Sequence, residues 1–254
     1  DFEALLVGAG GGKNQRAAGD NSGNNYSYAY PSGGGGGGSL HLGGKLKDLD
    51  PAVDYVIGSP GVDRSTLGSS ANGVQAQAGG DGSSTSFGAH VANGGQGGQG
   101  GQINKNGSVI VTAYCGSGGQ GGGNSAGLGS GGEGGTGASY LFSNHSWISH
   151  PGPVTGTFVS GGSGMVLGGG VGGGGGDGSM RIDNVYKSSR RSGANGSSSA
   201  YTGTGSTVDA GQEGKGGGGV NIAPIVGGSA TYYGSGGGTD AGFTQEGVIA
   251  LKIT

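Results

Sequence analysis

Glycine enters this sequence in long tracts rather than as isolated turn residues, and that limits what the chain can fold into. Seven glycine-rich tracts occur, at 33–38, 94–101, 116–123, 127–137, 168–178, 214–219 and 234–238, within a total of 74 glycines in 254 residues. An ordinary chain of that length carries roughly 18. Segments without Cβ atoms cannot build an oily core, and hydrophobic residues make up only 30% of the chain, against roughly 45–50% in a globular domain. Disorder driven by charge is equally out of place: charged residues are 11%, the formal net charge is −3, and no run of like charge exists. Collagen needs Gly at every third position and abundant Pro. Six prolines and the six-glycine run Gly33 to Gly38 exclude it.

The two ends are apolar and β-prone. Phe2-Glu3-Ala4-Leu5-Leu6-Val7 and Gly247-Val248-Ile249-Ala250-Leu251-Lys252-Ile253 read as strands bounded by glycine. Their positions predict that they pair with each other and close one domain spanning 1–254. Residues 54–57 and 108–114 are further strand candidates, and the alternation at 179–186 predicts an edge or hairpin strand. No stretch has helical periodicity; 45–53 is the one place for a single turn.

Two tracts carry a strict triplet, with GGQ three times over 94–102 and GGE then GGT over 131–136. A polyproline-II-type helix has three residues per turn and no internal hydrogen bonds, so GGX gives two glycine edges and one polar edge. Its outward N–H and C=O groups need partners when buried, and neighbouring helices supply them only if no Cβ blocks the approach. Tracts of six to nine residues span on the order of 20–28 Å at roughly 3.1 Å per residue. Flexible linkers are the alternative, but seven tracts interleaved with β-prone segments favour recurring structural elements. The expected fold is mainly β and irregular: a bundle, or sandwich, of polyglycine-II helices with a few short strands, the terminal strands paired, and almost no α-helix.

Several function classes drop out. There is no apolar run of membrane-spanning length and no signal-peptide pattern, so membrane insertion is not expected. The chain opens at Asp1 rather than Met, as a processed product or fragment does. Cys115 is the only cysteine, which precludes an internal disulfide. Twelve Lys and Arg at a pI near 5.7 give no electrostatic footprint for nucleic acid. The segment from Leu6 to Lys13 imitates glycine motifs but fails each: Lys13 replaces the last glycine of a dinucleotide fingerprint, and Val7 and Asn14 break a P-loop. Residues 172–180 meet a calcium nonapeptide rule only in part. His41, His90, His145 and His150 lack metal-ligand spacing, Asp48, Asp50 and Asp54 read as a solvated turn, and no nucleophile elbow exists. No enzyme activity, cofactor or metal is expected.

Recognition chemistry is more concentrated. Tyr26, Tyr28 and Tyr30 alternate just before the six-glycine run. Tyr140, Phe142, His145, Trp147 and His150 crowd a second segment that holds the only tryptophan. Lys187, Arg190 and Arg191, followed by Tyr201, form the densest positive charge, and Tyr232 and Tyr233 precede the last tract. Tyr, Ser, Gly and Asn with an occasional Trp or Arg is the composition of antibody binding loops. A half-buried strand over 26–30, or a small core plugged by Trp147, is the structural alternative.

The residues at Phe2–Gly12 (FEALLVGAGGG), Asp54–Gly61 (DYVIGSPG), Thr85–Gly101 (TSFGAHVANGGQGGQGG) and Gly247–Thr254 (GVIALKIT) together resemble the glycine-rich domain of bacteriophage tail-fibre tips. The chain is also similar to the receptor-binding adhesins that cap long tail fibres of T-even-like phages. The resemblance implies a virion protein joined to a fibre shaft, as a cap or as a homotrimeric tip. It further implies a sandwich of polyglycine-II helices whose distal loops bind a bacterial surface receptor, an outer-membrane protein or a glycan. The attachment domain of those caps has no counterpart here. Residues 138–160 and 183–202 look like receptor-binding insertions, and 138–153 is the first candidate for contact. The competing readings are a glycine-rich antifreeze protein, separable by an ice-recrystallisation assay, and a secreted ligand-binding glycine-rich domain like that of certain receptor kinases. Formal glycosylation sites at Asn25, Asn106, Asn144 and Asn195 suit the latter; the missing disulfides do not.

Overall fold

A computed structural model describes residues 1–15, 17–21, 25–29, 33–50, 52–64, 68–69, 77–100, 102–106, 109–114, 119–125, 139–141, 146–148, 167–168, 178–182, 187–191, 220–221, 232–234, 236–237 and 244–254. Side chains are described at 1–15, 33–50, 52–64, 77–100, 119–125, 233–234, 236–237 and 244–254. The chain is mainly strand and irregular. In order, the first strands are β1 (Phe2–Val7), β2 (Ala17–Asn21), β3 (Asn25–Ala29), β4 (Ser39–Gly44), β5 (Tyr55–Val56) and β6 (Gly68–Ser69). They continue as β7 (Thr85–Phe87), β8 (His90–Ala92), β9 (Gln102–Asn106), β10 (Val109–Tyr114), β11 (Ser139–Leu141) and β12 (Ser146–Ile148). The last are β13 (Leu167–Gly168), β14 (Gly178–Ile182), β15 (Lys187–Arg191), β16 (Val220–Asn221), β17 (Tyr232–Tyr233) and β18 (Val248–Ile253). Among the described residues the one helical element is a 3₁₀ turn at Leu46–Asp48, inside the 45–53 stretch.

The terminal strands pair. β1 lies antiparallel to β18, from Phe2 opposite Ile253 to Val7 opposite Val248, and antiparallel to β4 on its other side, giving the order β13-β4-β1-β18. Both faces of β1 are covered, which is why its sequence runs apolar without alternation. Ala4 and Leu6 are fully buried with Leu40, Leu42 and Ala92, and Phe2, Phe87 and Ile249 pack against them. On the opposite face, Leu5 and Val7 join Ala250, flanked by Tyr233 and Val248. Phe87 comes from a small sheet of order β5-β7-β8. Its β7–β8 turn uses Gly88 at φ 57°, in the left-handed region that favours glycine.

Beyond Val7 the chain changes its manner of pairing. The amides of Gly8 and Gly11 donate to the carbonyls of Gly38 and Gly35 (2.8 and 2.9 Å). Those of Ala9, Gly12 and Gln15 donate to Ser83, Gly80 and Gln77 (3.1, 2.8 and 2.9 Å), and that of Gly10 to Gln245 (3.0 Å). The carbonyls follow the same three-residue rule. Ala9 and Gly12 accept from Gly95 and Gly98, Gly10 and Lys13 from Gly61 and Arg64, and Gly11 from Gly237. Six segments therefore bond to 8–15 through backbone groups: 33–38, 57–64, 77–84, 93–100, 234–237 and 244–247. Outside them, 119–123 bonds to 93–100 through Asn93 to Gly123 and Gln96 to Gln120, and to 33–38 through Gly119 to Gly33 and Gly122 to Gly36.

Close approach, rather than unusual dihedrals, demands the glycines of this array. Among the described glycines only Gly88 and Gly234 have positive φ. A Cβ added to Gly11 would instead fall on the Gln96 carbonyl, closer than the 3.0 Å that real Cβ atoms keep from backbone. Side chains survive at the perimeter. In 93–100, Asn93, Gln96 and Gln99 are exposed at every third position, whereas Gly95, Gly97 and Gly98 are buried. The all-glycine 33–38 segment is buried throughout.

One strand differs from its sequence reading. β14 ends at Ile182 within the described residues and forms a hairpin with β15, as the alternation over 179–186 predicts. It is not an edge, because β3 pairs with its other side. That second pairing spans some 150 residues of sequence, beyond the reach of any local pattern.

Candidate functional site

The registers fix the polarity of the array. Partner numbers fall as 8–15 rises against 33–38 and 77–84, so those segments are antiparallel to it; they rise together for 57–64 and 93–100, which are parallel. Residues 15, 33, 64, 77, 100 and 119 accordingly share one end, hereafter the far end. Residues 8, 38, 57, 84, 93 and 123 share the near end, beside β1, β4 and β18. The excursions 16–32, 65–76 and 101–118 all leave and re-enter at the far end. The 238–243 excursion joins them, since 234–237 runs antiparallel to 33–38 through Gly34 to Gly237 and Gly37 to Gly234 (2.9 and 2.8 Å).

Two sheets draw on these excursions for β2, β3, β6, β9 and β10; their other strands, β11, β12, β14 and β15, belong to 124–233, which leaves and returns at the near end, and join by pairing with β10 and β3. One has the order β15-β14-β3-β2-β6 and is antiparallel except for the parallel β2–β6 pair; the other has the order β12-β11-β10-β9. Strands β2 and β3 bring Cα atoms within 8 Å of β9 and β10, so the two sheets meet. Three of the aromatic or basic clusters singled out in the sequence thus collect at one end of the molecule.

Within them, register brings together residues far apart in sequence. Tyr26 stands opposite Asp20 on one side and Arg181 on the other, and Arg181 in turn stands opposite Ser188. Tyr28 stands opposite Ala18 and Ser179, and Ser179 opposite Arg190. In the second sheet Tyr140 is flanked by Ala113 and Trp147. Lys187 lies opposite Ile182 and Arg191 opposite Gly178. Arg181 and Ser179 escaped the sequence reading; the period-2 alternation of both NYSYA and GSMRI was the available signal, but not their partnership.

The fourth cluster lies elsewhere. Tyr232 and Tyr233 form β17, opposite Asn221 and Val220, and Tyr233 packs half-buried against Leu5, Val7 and Ala250 at the near end. Tyr30, Phe142, His145, His150 and Tyr201 lie outside the described residues. Among the described residues no group of three or more His, Cys, Asp or Glu could hold a metal ion, and no helix is long and apolar enough to cross a membrane. No family model matches the sequence, and no curated protein is similar enough to it to serve as a relative.

Proposed function

We propose that this chain is a receptor-binding adhesin of the phage tail-fibre type, whose far-end sheets and loops contact a bacterial surface receptor. The observation that carries the reading is the return of four separate excursions to a single end of a backbone-bonded array. A scaffold of that kind holds recognition residues on rigid supports and lowers the entropy lost on binding. The composition of these excursions and of the strands that pair with them, with Tyr, Ser, Asn and Arg, suits adaptable contact. In this reading the near end faces a fibre shaft, as one cap or three copies, with Tyr55, Val56, Ile57, Leu251 and Ile253 exposed there.

The glycine segments are proposed to be polyglycine-II helices packed as a bundle. Their support is the three-residue recurrence of each neighbour, the number of helical residues per turn in that conformation, and the six segments bonded to 8–15. Residues 138–160 and 183–202 are proposed as receptor-binding insertions, and β11, β12 and β15 fall within them.

The test is saturable binding of labelled protein to a panel of intact Gram-negative bacteria, with competition against phage adsorption. Replacing Tyr26, Tyr28, Tyr140 and Trp147 with Ala is expected to abolish binding, whereas Tyr55→Ser with Leu251→Ser at the near end leaves it intact. Binding that survives the first set and is lost with the second refutes the assignment of ends. Inhibition of ice recrystallisation without cell binding would move the protein to a different class.

A further inference from the structure

β18 has one side paired and one side open. Asp1 and Thr254 exchange backbone hydrogen bonds in both directions. In the antiparallel ladder with β1 the hydrogen-bonded pairs are therefore those of Thr254, Lys252, Ala250 and Val248. The N–H and C=O groups of Ile253, Leu251 and Ile249 point away from β1. Gly247 shares that orientation, and its N–H donates to the Gly58 carbonyl (2.9 Å). Past that bond the two segments diverge, because Tyr55 and Val56 pair instead with Phe87 and Ser86 of β7. Among the described residues none pairs with the outer side of Ile249, Leu251 and Ile253.

The side chains of these three residues lie on the core face of the sheet, since they stand opposite Leu6, Ala4 and Phe2. Ile249 is half-buried there, but Leu251 and Ile253 are 42% and 58% exposed. An apolar core face thus runs out past the edge of its own sheet, and Tyr55, Val56 and Ile57 are exposed on the diverging segment. Edge strands are ordinarily blunted by proline, a bulge or charge. β18 has no proline, its register with β1 is unbroken, and its one charge, Lys252, lies on the other face opposite Glu3. Such an edge accepts a further strand through its backbone.

The strand that fits it is β18 of a second copy. A two-fold axis pairs residue i with j and j with i, and three centres are available. Centred on Ala250, the pairing sets Ile253 of one copy against Gly247 of the other, whose N–H is already bonded to Gly58. Centred on Lys252, it sets lysine against lysine, and like charges directly opposite are destabilising. Centred on Leu251, it sets Leu251 against Leu251, Ile249 against Ile253 and Lys252 against the small Ala250. Every outward-pointing residue then meets another, as three hydrogen-bonded pairs of two bonds each.

We propose that two copies of this chain associate through β18 in the register centred on Leu251, joining their β13-β4-β1-β18 sheets into one and gathering Leu251 and Ile253 of both copies on one apolar face. The proposal stands apart from the adhesin reading. Sedimentation velocity of the full chain from about 1 to 200 µM should show a monomer–dimer equilibrium, with a midpoint on the order of 10 µM for a contact of one strand per copy. Leu251→Lys sets like charges at the axis and should weaken association at least about tenfold, with the far-UV circular dichroism unchanged because Leu251 is exposed. In a Cys115→Ser background, Leu251→Cys should cross-link under mild oxidation, since the Cα atoms of a hydrogen-bonded pair stand about 5.5 Å apart. Ile253→Cys should not, because its counterpart lies four residues along the partner strand, more than roughly 13 Å away. The two cysteine variants decide the matter alone if Leu251→Lys alters the circular dichroism. A monomer throughout the concentration range, a trimer, a dimer that a folded Leu251→Lys leaves intact, or equal cross-linking at 251 and 253 overturns the proposal. A trimer is what a three-fold tip would give, so that failure leaves the adhesin reading standing.

Discussion

Replacing Gly11 with Ala is the sharpest test of a core built from backbone. The added Cβ would meet the Gln96 carbonyl well inside 3.0 Å, whereas ordinary van der Waals contact begins at 3.4 Å. The 8–15 and 93–100 segments must then separate by on the order of 1 Å. Gly11 N donates to Gly35 O (2.9 Å), Gly35 N donates to Gln96 O (2.8 Å), and Gly237 N donates to Gly11 O (2.8 Å). A shift that large cannot preserve all three bonds. Losing two leaves buried groups unpaired at about 1–3 kcal/mol each, and the unfolded-state benefit of Ala over Gly returns only about 0.4–1 kcal/mol. The net loss is about 1–5 kcal/mol, against a typical stability of roughly 5–15 kcal/mol. At roughly 2–4 °C per kcal/mol for a domain of this size, the melting temperature falls by about 2–20 °C. Scanning calorimetry beside Gln96→Ala checks it, since the Gln96 side chain is exposed and its removal should stay within about 0.5 kcal/mol. A Gly11→Ala protein melting within about 1 °C of the parent would refute the close-packed array.

Hydrogen exchange should find the amides of Gly8, Ala9, Gly10, Gly11 and Gly12 protected consecutively, because each donates to a backbone carbonyl; exchange at free-chain rates would mark a linker. Asp63→Ala should lower the urea midpoint by an amount worth about 2–3 kcal/mol, because Oδ1 accepts from Lys13 N (2.8 Å) and Thr244 Oγ1 (2.6 Å). Asp63→Asn, which keeps that oxygen, should recover most of it. Thr85→Val preserves shape but removes the acceptor of the buried Gly58 amide (3.0 Å), and should cost about 1–3 kcal/mol in the same assay. Leu6→Ala, at a fully buried site between β4 and β18, should cost about 2–5 kcal/mol.

What the sequence disclosed follows from which contacts are local. The apolar runs at 2–7 and 248–253 announced strands, and the GGQ triplets announced a polar edge that Gln96 and Gln99 occupy. Two array segments, 57–64 and 77–84, went unnoticed because they are not glycine tracts. They need glycine where a neighbour closes in, at Gly58 and Gly61, three residues apart, and at Gly79, Gly80 and Gly82. Composition counts glycines, whereas packing asks for them only where a neighbouring backbone approaches. β4 was missed for a related reason: Ser39–Gly44 is short and ends in two glycines, and its pairing with β1 makes it a strand. The Tyr26–Arg181 partnership had no local signal, since register between distant strands is set by the fold as a whole.

The close approach of backbones also bears on how the two ends of the molecule differ. A segment that spends its N–H and C=O groups on several neighbours leaves little room for buried side chains, Ala9 and Asn14 being those of 8–15, and glycine loses more backbone freedom on folding than any other residue. Hydrogen bonds net of water return only about 1 kcal/mol each, so the array needs help from apolar burial. The near end supplies it: β1 runs into 8–15, β4 follows 33–38, β18 follows 244–247, and β8 runs into 93–100. Leu5, Leu6, Val7, Leu40, Ala92 and Ala250 thus lie directly in line with array segments and clamp them in register. Each far-end excursion returns to its place in an array already held in register from the near end, so on the adhesin reading proposed above its loops can differ in length and chemistry without disturbing the scaffold.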